Sequence, residues 1–94
     1  STWMPSVDIY ETPDRVVLKA ELPGLTREDI DINVRNSTLT LRGERAYGSF
    51  QRSFTLPATI QQDKIKAVFK DGVLEVSLPK AEEARPKQIK IDVK

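Results

Sequence analysis

Alternation with a period of two runs through almost the whole chain, and it leaves little room for anything but β-strands with one buried face. Val16, Leu18, Ala20 and Leu22 fall in one phase, and Val17, Lys19 and Glu21 in the other. Ile30, Ile32 and Val34 alternate with Asp31, Asn33 and Arg35, and Leu39 and Leu41 with Thr38, Thr40 and Arg42. Phe50, Phe54 and Leu56 alternate with Gln51, Ser53 and Thr55. Ile65, Ala67 and Phe69 share a face, as do Leu74, Val76 and Leu78. No stretch of helical period is long enough to compete.

Turn chemistry separates these runs. Pro23-Gly24 suits a type II turn, and Asn36-Ser37 and Asp71-Gly72 suit tight hairpins. Thr26 to Asp29 has the form of a capping box but leads into strand-like residues, so one helical turn at most is expected there. About seven short strands at this spacing predict an all-β, immunoglobulin-like sandwich. The shared phase predicts Leu18, Leu22, Leu39, Leu41, Phe54, Leu74, Val76 and Leu78 as its core.

The 94 residues suffice for one domain. Charged side chains make up 31% of the chain, yet the signs are interspersed and sum to +1, which argues against a broad nucleic-acid footprint. No apolar run approaches the roughly 20 residues that span a bilayer, and there is no signal-peptide pattern. The expectations are therefore no nucleic acid, no membrane and a cytoplasmic location. The chain opens at Ser1 without an initiator methionine, which reads as a processed or excised piece.

Chemistry finds few candidates. Without histidine or cysteine the usual nucleophile–base pairs and zinc ligands are missing, so neither a catalytic site, a cofactor nor a metal is expected. Glu28, Asp29 and Asp31 lack the spacing of a calcium loop and read as a solvated entry to a strand. Lys64, Lys66 and Lys70 read as a polar face that discourages edge-to-edge aggregation. Asn36-Ser37-Thr38 matches a glycosylation sequon but serves as a turn. The character of the chain changes after Pro79. Residues 1–79 read as the domain, the charged residues 80–88 as a flexible linker, and residues 89–94 as a tail. There Ile89, Ile91 and Val93 alternate with Lys90, Asp92 and Lys94, either as a last strand of the sandwich or as a tethered ligand for another copy.

These residues resemble a known family. Val7-Asp8-Ile9-Tyr10-Glu11-Thr12, Lys19-Ala20-Glu21-Leu22-Pro23-Gly24 and Glu28-Asp29-Ile30 are similar to the opening strands of bacterial and plant small heat-shock proteins. Leu39-Thr40-Leu41-Arg42-Gly43-Glu44-Arg45 and the segment from Tyr47 to Pro57 resemble their middle strands. Ala67 with Asp71-Gly72-Val73-Leu74 resembles the A-x-x-x-N-G-V-L signature, and Ile89-Lys90-Ile91 the C-terminal I-x-I motif. The resemblance implies an α-crystallin domain acting as an ATP-independent holdase that binds unfolding client proteins. It implies a groove between two sheet edges, Ile30, Ile32 and Val34 on one and Ile65, Ala67 and Phe69 on the other, with Ile89 and Ile91 as the knobs. Self-association through the tail and the sheet edges follows. The alternative is a CS-type co-chaperone adaptor, which shares the sandwich.

Two departures from the family's pattern carry expectations. Almost nothing precedes Trp3, where the family has an N-terminal arm. Arg45-Ala46-Tyr47-Gly48 joins two strands directly, where bacterial and plant members carry an excursion that crosses to a partner and forms the dimer. That strand-swapped dimer is therefore not expected. The strand it would cover, Val7, Asp8, Ile9, Tyr10, Glu11 and Thr12, is left as an exposed edge in a monomer or weak oligomer.

Overall fold

In the computed structural model, which describes residues 3–46 and 48–94, seven strands form two antiparallel sheets. They are β1 (Val7–Glu11), β2 (Arg15–Glu21), β3 (Ile30–Arg35), β4 (Thr38–Arg45), β5 (Gly48–Thr55), β6 (Lys66–Lys70) and β7 (Val73–Pro79). One sheet has the order β1-β2-β7-β6 and the other β3-β4-β5. The fold is thus the all-β sandwich that the alternation predicts, with β1, β6, β3 and β5 as its four edges.

The turns follow from backbone sterics. Asn36 and Ser37 both have positive φ (49° and 64°), as do Asp71 and Gly72 (51° and 77°), the pattern of the primed turn whose twist matches its strands. Gly24 (φ 85°) takes the position of a type II turn that only glycine enters freely, and the Leu25 amide closes the turn on the Leu22 carbonyl at 3.3 Å. Thr26 heads a single 3₁₀ turn, Arg27–Asp29. Its amide donates to the Asp29 carboxylate at 2.8 Å, and the Asp29 amide returns a bond to the Thr26 carbonyl at 3.0 Å.

Val16, Leu18, Ala20, Leu22, Leu39, Leu41, Leu74, Val76 and Leu78 form the centre of the core, joined by Leu25, Phe50 and Leu56. Phe54, expected at the centre, is half-buried on edge strand β5, where the Arg52 guanidinium lies 4.8 Å from its ring. Val17, in the outward phase, is buried all the same: it stands between Tyr10 and Ser77, its partners on β1 and β7.

The two open sides of the sandwich are finished differently. On the β1/β5 side, residues 3–6 cross from one sheet to the other. The Ser6 carbonyl accepts from Glu21 N–H at 3.0 Å, and Trp3 N–H donates to the Ser49 carbonyl at 3.1 Å. The Trp3 ring meets Phe50 edge-on at 5.0 Å and is covered by the Arg45 guanidinium at 4.2 Å, while Arg52 reaches the Pro5 carbonyl at 3.4 Å. On the β3/β6 side, Gln62 and Ile65 come beside Ile32 and Val34.

Candidate functional site

A concavity of about 260 Å³, lined mostly by apolar side chains, lies between edge strands β3 and β6. Ile32 and Val34 form one wall, Ile65 and Ala67 the other, with Val76 of β7 behind and Gln62 as the polar member. The walls follow from phase and position: β3 and β6 are sheet edges, so their inward residues have a neighbouring strand on one side only. Ala67 pairs with Val76 and Phe69 with Leu74, which fixes the inward face of β6. The concavity therefore has two strand edges with unpaired backbone groups and an apolar floor between them, the features that an added extended segment needs.

Of the six residues expected to line a groove, Ile32, Val34, Ile65 and Ala67 surround this concavity. Ile30 and Phe69 do not; both are half-buried and pack against the core. Gln62 was not among the expected residues. It enters from a 3₁₀ turn, Gln62–Lys64, whose position no alternation encodes.

Residues 86–94 carry no secondary structure and run free of the domain, with Ile89, Ile91 and Val93 at 84%, 82% and 93% exposure. The tail pairs with none of the four sheet edges here. The charged stretch read as a linker starts out folded. Lys80 bridges Ile60, Ala81 N–H donates to the Thr59 carbonyl at 2.8 Å, and a 3₁₀ turn, Glu82–Ala84, packs behind it.

The first strand is an edge. β1 pairs only with β2, and Ile9 and Tyr10 are 37% and 46% exposed. Asp8 and Tyr10 face outward opposite Lys19 and Val17, while Val7, Ile9 and Glu11 face inward opposite Ala20, Leu18 and Val16. Thr12 ends the strand as a turn residue: its hydroxyl donates to the Asp14 carboxylate at 3.0 Å and accepts from Arg15 N–H at 3.1 Å. The hydroxyl bond, followed in weight by the Arg15 charge among the lowering influences, holds the Asp14 carboxyl below its ordinary value. Arg45 at the end of β4 pairs with Gly48 at the start of β5, so the two strands form one hairpin; Tyr47 of that join lies outside the described residues.

Among the described residues no group of three or more acidic side chains is placed to hold a metal ion, and no helix is long and apolar enough to cross a membrane. A second, larger concavity of about 970 Å³ runs from Met4 and Glu28 across Asp31, Arg42 and Glu44, with Ile30 and Phe50 in its lining.

Comparison with known proteins places this architecture. Residues 8–94 match the family described as Hsp20/alpha crystallin. Small heat shock protein C2 of Rickettsia felis is 40% identical over 94% of this chain and 68% of its own length. Heat shock protein 16 of Schizosaccharomyces pombe is 36% identical over 89% of this chain and 71% of its own length. The solved structure of heat shock protein 16.0 from Schizosaccharomyces pombe superposes with a TM-score of 0.82 at 34% identity, covering 98% of this chain and 99% of that one. A small heat-shock protein from Xylella fastidiosa gives 0.78 at 34% identity, over 99% and 100%. Other relatives are matched over less of their length, 63% for small heat shock protein C4 of Rickettsia felis and 62% for spore protein SP21 of Stigmatella aurantiaca. The alignment with the C2 protein extends over 104 positions, more than the whole 94-residue chain, so that relative carries residues with no counterpart here. A CS-type adaptor finds no support among these matches, and the chain belongs to the Hsp20/alpha crystallin family, the ATP-independent small heat-shock chaperones.

Proposed function

We propose that the concavity between β3 and β6 is where this chain holds extended polypeptide, either the tail of a second copy or a segment of an unfolding client. The supporting observation is the pairing of two uncapped strand edges over an apolar floor with a tail whose two isoleucines are almost wholly in water. Each isoleucine contributes about 1.5–3 kcal/mol on burial. Ordering the tail backbone costs about 1–2 kcal/mol per residue fixed. The two terms nearly cancel, so a single tail docks weakly, and avidity strengthens the contact when several copies assemble. A weakly held tail leaves the same seat open to clients, and no bond is made or broken, so neither nucleotide nor catalytic group is required. The cytoplasm is the proposed place of action.

The direct hairpin between β4 and β5 supports a second part of this reading, that the chain does not form a strand-swapped dimer and leaves β1 uncovered. Sedimentation from nanomolar to micromolar concentration tests it: a dimer that survives dilution overturns it.

Ala67→Glu puts a charge into the concavity at an exposed position. The variant is expected to keep its thermal midpoint and to lose protection of a heat-labile client in a light-scattering assay. Undiminished protection would place client binding elsewhere.

A further inference from the structure

The four-stranded sheet ends in two strands of opposite charge. β1 carries Asp8 and Glu11 and no cation, and β6 carries Lys66 and Lys70 and no anion. Both edges are apolar between their charges: Ile9 and Tyr10 of β1 are 37% and 46% exposed, and Val68 of β6 is 61% exposed. Such an edge is a template for another strand, and the charges select which one. Two β6 edges set antiparallel over their full length would bring Lys66 against Lys70 twice. Two β1 edges would gather four carboxylates with no cation on either strand. β1 against β6 brings opposite signs together.

Backbone geometry allows that pairing. Directions alternate across the sheet, so β1 and β6 run opposite ways, and a second copy placed alongside in the same orientation sets its β1 antiparallel to β6. Glu21 N–H donates to the Ser6 carbonyl at 3.0 Å and Thr12 N–H to the Arg15 carbonyl at 2.8 Å, so the even-numbered residues of β1 turn their backbone groups to β2. Those of Val7, Ile9 and Glu11 then point away from the sheet. The Asp71-Gly72 turn closes on Lys70 and Val73, so Lys70 and Val68 bond to β7 and the backbone groups of Ala67 and Phe69 point away. Setting Phe69 opposite Ile9 of a second copy satisfies both edges and fixes the rest: Ala67 faces Glu11, Val68 faces Tyr10 and Lys70 faces Asp8. Side-chain phases agree, since Phe69 and Ile9 both turn to the core side of the sheet and Val68 and Tyr10 to the outside. A shift by two residues either way sets Val68 against Asp8 or Thr12 and separates Lys70 from Asp8. Glu11 brings no unpaired charge to Ala67, because the buried Lys80 ammonium holds it at 2.6 Å. Residues 3–6 stay behind this edge: Ser6 is in line with β1, and Trp3 lies against Ser49 of β5, in the layer that is one strand narrower.

We propose that β1 of one copy adds to β6 of the next and continues the four-stranded sheet head to tail, a pairing that requires β1 to be uncovered as proposed for this chain. The contact is heterologous, so each copy uses one edge and leaves the other open. Four strands advance the sheet by about 19 Å per copy. Their twist of about 20–25° per strand turns it by roughly 90°, which makes an open helical row and not a ring. Four residue pairs span about 14 Å of strand, small beside the interfaces of stable complexes. The row therefore forms at high concentration and dissolves on dilution. β6 is also a wall of the concavity, and a copy seated there excludes extended polypeptide from that edge.

The test uses the full chain carrying Ile89→Ala and Ile91→Ala, so that the tail makes no contribution, and follows its mass by sedimentation from nanomolar to millimolar concentration at low salt. Lys70→Glu and Asp8→Lys each change an exposed side chain. Either alone sets like charges opposite and should weaken association about threefold to tenfold, while an equal mixture of the two restores opposite signs and should return to within about twofold of the parent. A single variant that associates as the parent does overturns the proposal, as does a mixture no stronger than its components or a parent that stays monomeric at millimolar concentration. The chain has no cysteine, so disulfide linking reads the register. Tyr10→Cys oxidised together with Val68→Cys should give mixed dimers faster than either links to itself, and self-linking at an equal rate overturns the head-to-tail pairing. If Asp8→Lys does not fold, Lys70→Glu and the linking decide. A parent dimer that survives nanomolar dilution refutes the uncovered β1 and the proposal with it. Dissociation on dilution with charge reversals that change nothing refutes the proposal alone.

Discussion

Gly43 gives the sharpest test of the packing. It lies in the middle of β4, directly opposite Phe50 on β5 and Ile30 on β3. A Cβ built at this position would overlap Cε1 of the Phe50 ring and lie 2.7 Å from Cζ, so the ring rests on the glycine backbone itself. Gly43→Ala must therefore displace a ring that is only 5% exposed. Losing that burial costs about 1.5–3 kcal/mol. The edge contact with Trp3 that goes with it contributes about 0.5–1.5 kcal/mol. Replacing glycine within a strand returns about 0.5–1 kcal/mol of backbone entropy. The net destabilisation should be about 1.5–3.5 kcal/mol, in the range usual for an overfilled core. A urea titration read by the fluorescence of Trp3, the one tryptophan, reports both the midpoint and the loss of the ring contact. The control is the same substitution in a Phe50→Ala background, where the obstacle is gone and alanine should be neutral or stabilising by about 0.5 kcal/mol. A cost that is equal in both backgrounds, or below about 0.5 kcal/mol in the parent, would refute the close-approach argument.

Leu41, fully buried at the centre of the smaller sheet, should lose about 2–5 kcal/mol on truncation to alanine, with the denaturant midpoint as the readout. Glu11→Gln leaves the Lys80 ammonium buried without its anion and should cost about 1–3 kcal/mol, less than for a fully enclosed pair because the Glu11 side chain is 44% exposed. Lys80→Met, which removes the charge along with its need, should fall within about 1 kcal/mol of the parent in the same titration. A Lys80→Met cost equal to that of Glu11→Gln would deny the desolvation argument. The depressed Asp14 carboxyl contributes stability that is present above its unfolded value and is lost as pH falls through the folded one. Thr12→Val should raise the Asp14 titration midpoint in a carboxyl NMR titration, and an unmoved midpoint would assign the depression to other neighbours.

How far residues alone lead depends on the range of the interaction. The strands and their inward faces are legible because alternation is local: Leu18, Leu41 and Val76 declare their side of the sheet through their immediate neighbours. Asn36-Ser37 and Asp71-Gly72 are legible because positive φ restricts residue choice. Val17 misleads, since its phase points outward and its burial is supplied by Tyr10 and Ser77 on two other strands. Trp3 and Arg45 are 42 positions apart and carry no shared pattern, yet they stack at 4.2 Å. Lys80 sits in a stretch whose charges suggest solvent, and only the continuation of the β7 phase beyond Pro79 could have placed it inside. For the candidate site, the inward phases of β3 and β6 are readable, but which of their residues border a concavity depends on the curvature of the sheets. That is why Ile30 and Phe69 fall outside it and Gln62 comes in.

The pairing of β2 with β7 also has a consequence for biogenesis. Val16, Leu18 and Ala20 lie on a strand whose far neighbour is not complete until Pro79, 58 positions after Glu21. At about 5–20 residues per second, a ribosome needs roughly 3 to 12 s to supply it. During that interval the smaller sheet can close from hairpins alone, since β3, β4 and β5 are consecutive, whereas β2 has only β1 beside it. A nascent chain of this protein therefore displays an apolar, half-paired strand for seconds, longer than a sandwich of this size commonly takes to fold once complete. Ribosome-bound chains stalled before residue 73 should be more readily captured by other chaperones than chains stalled well beyond residue 79.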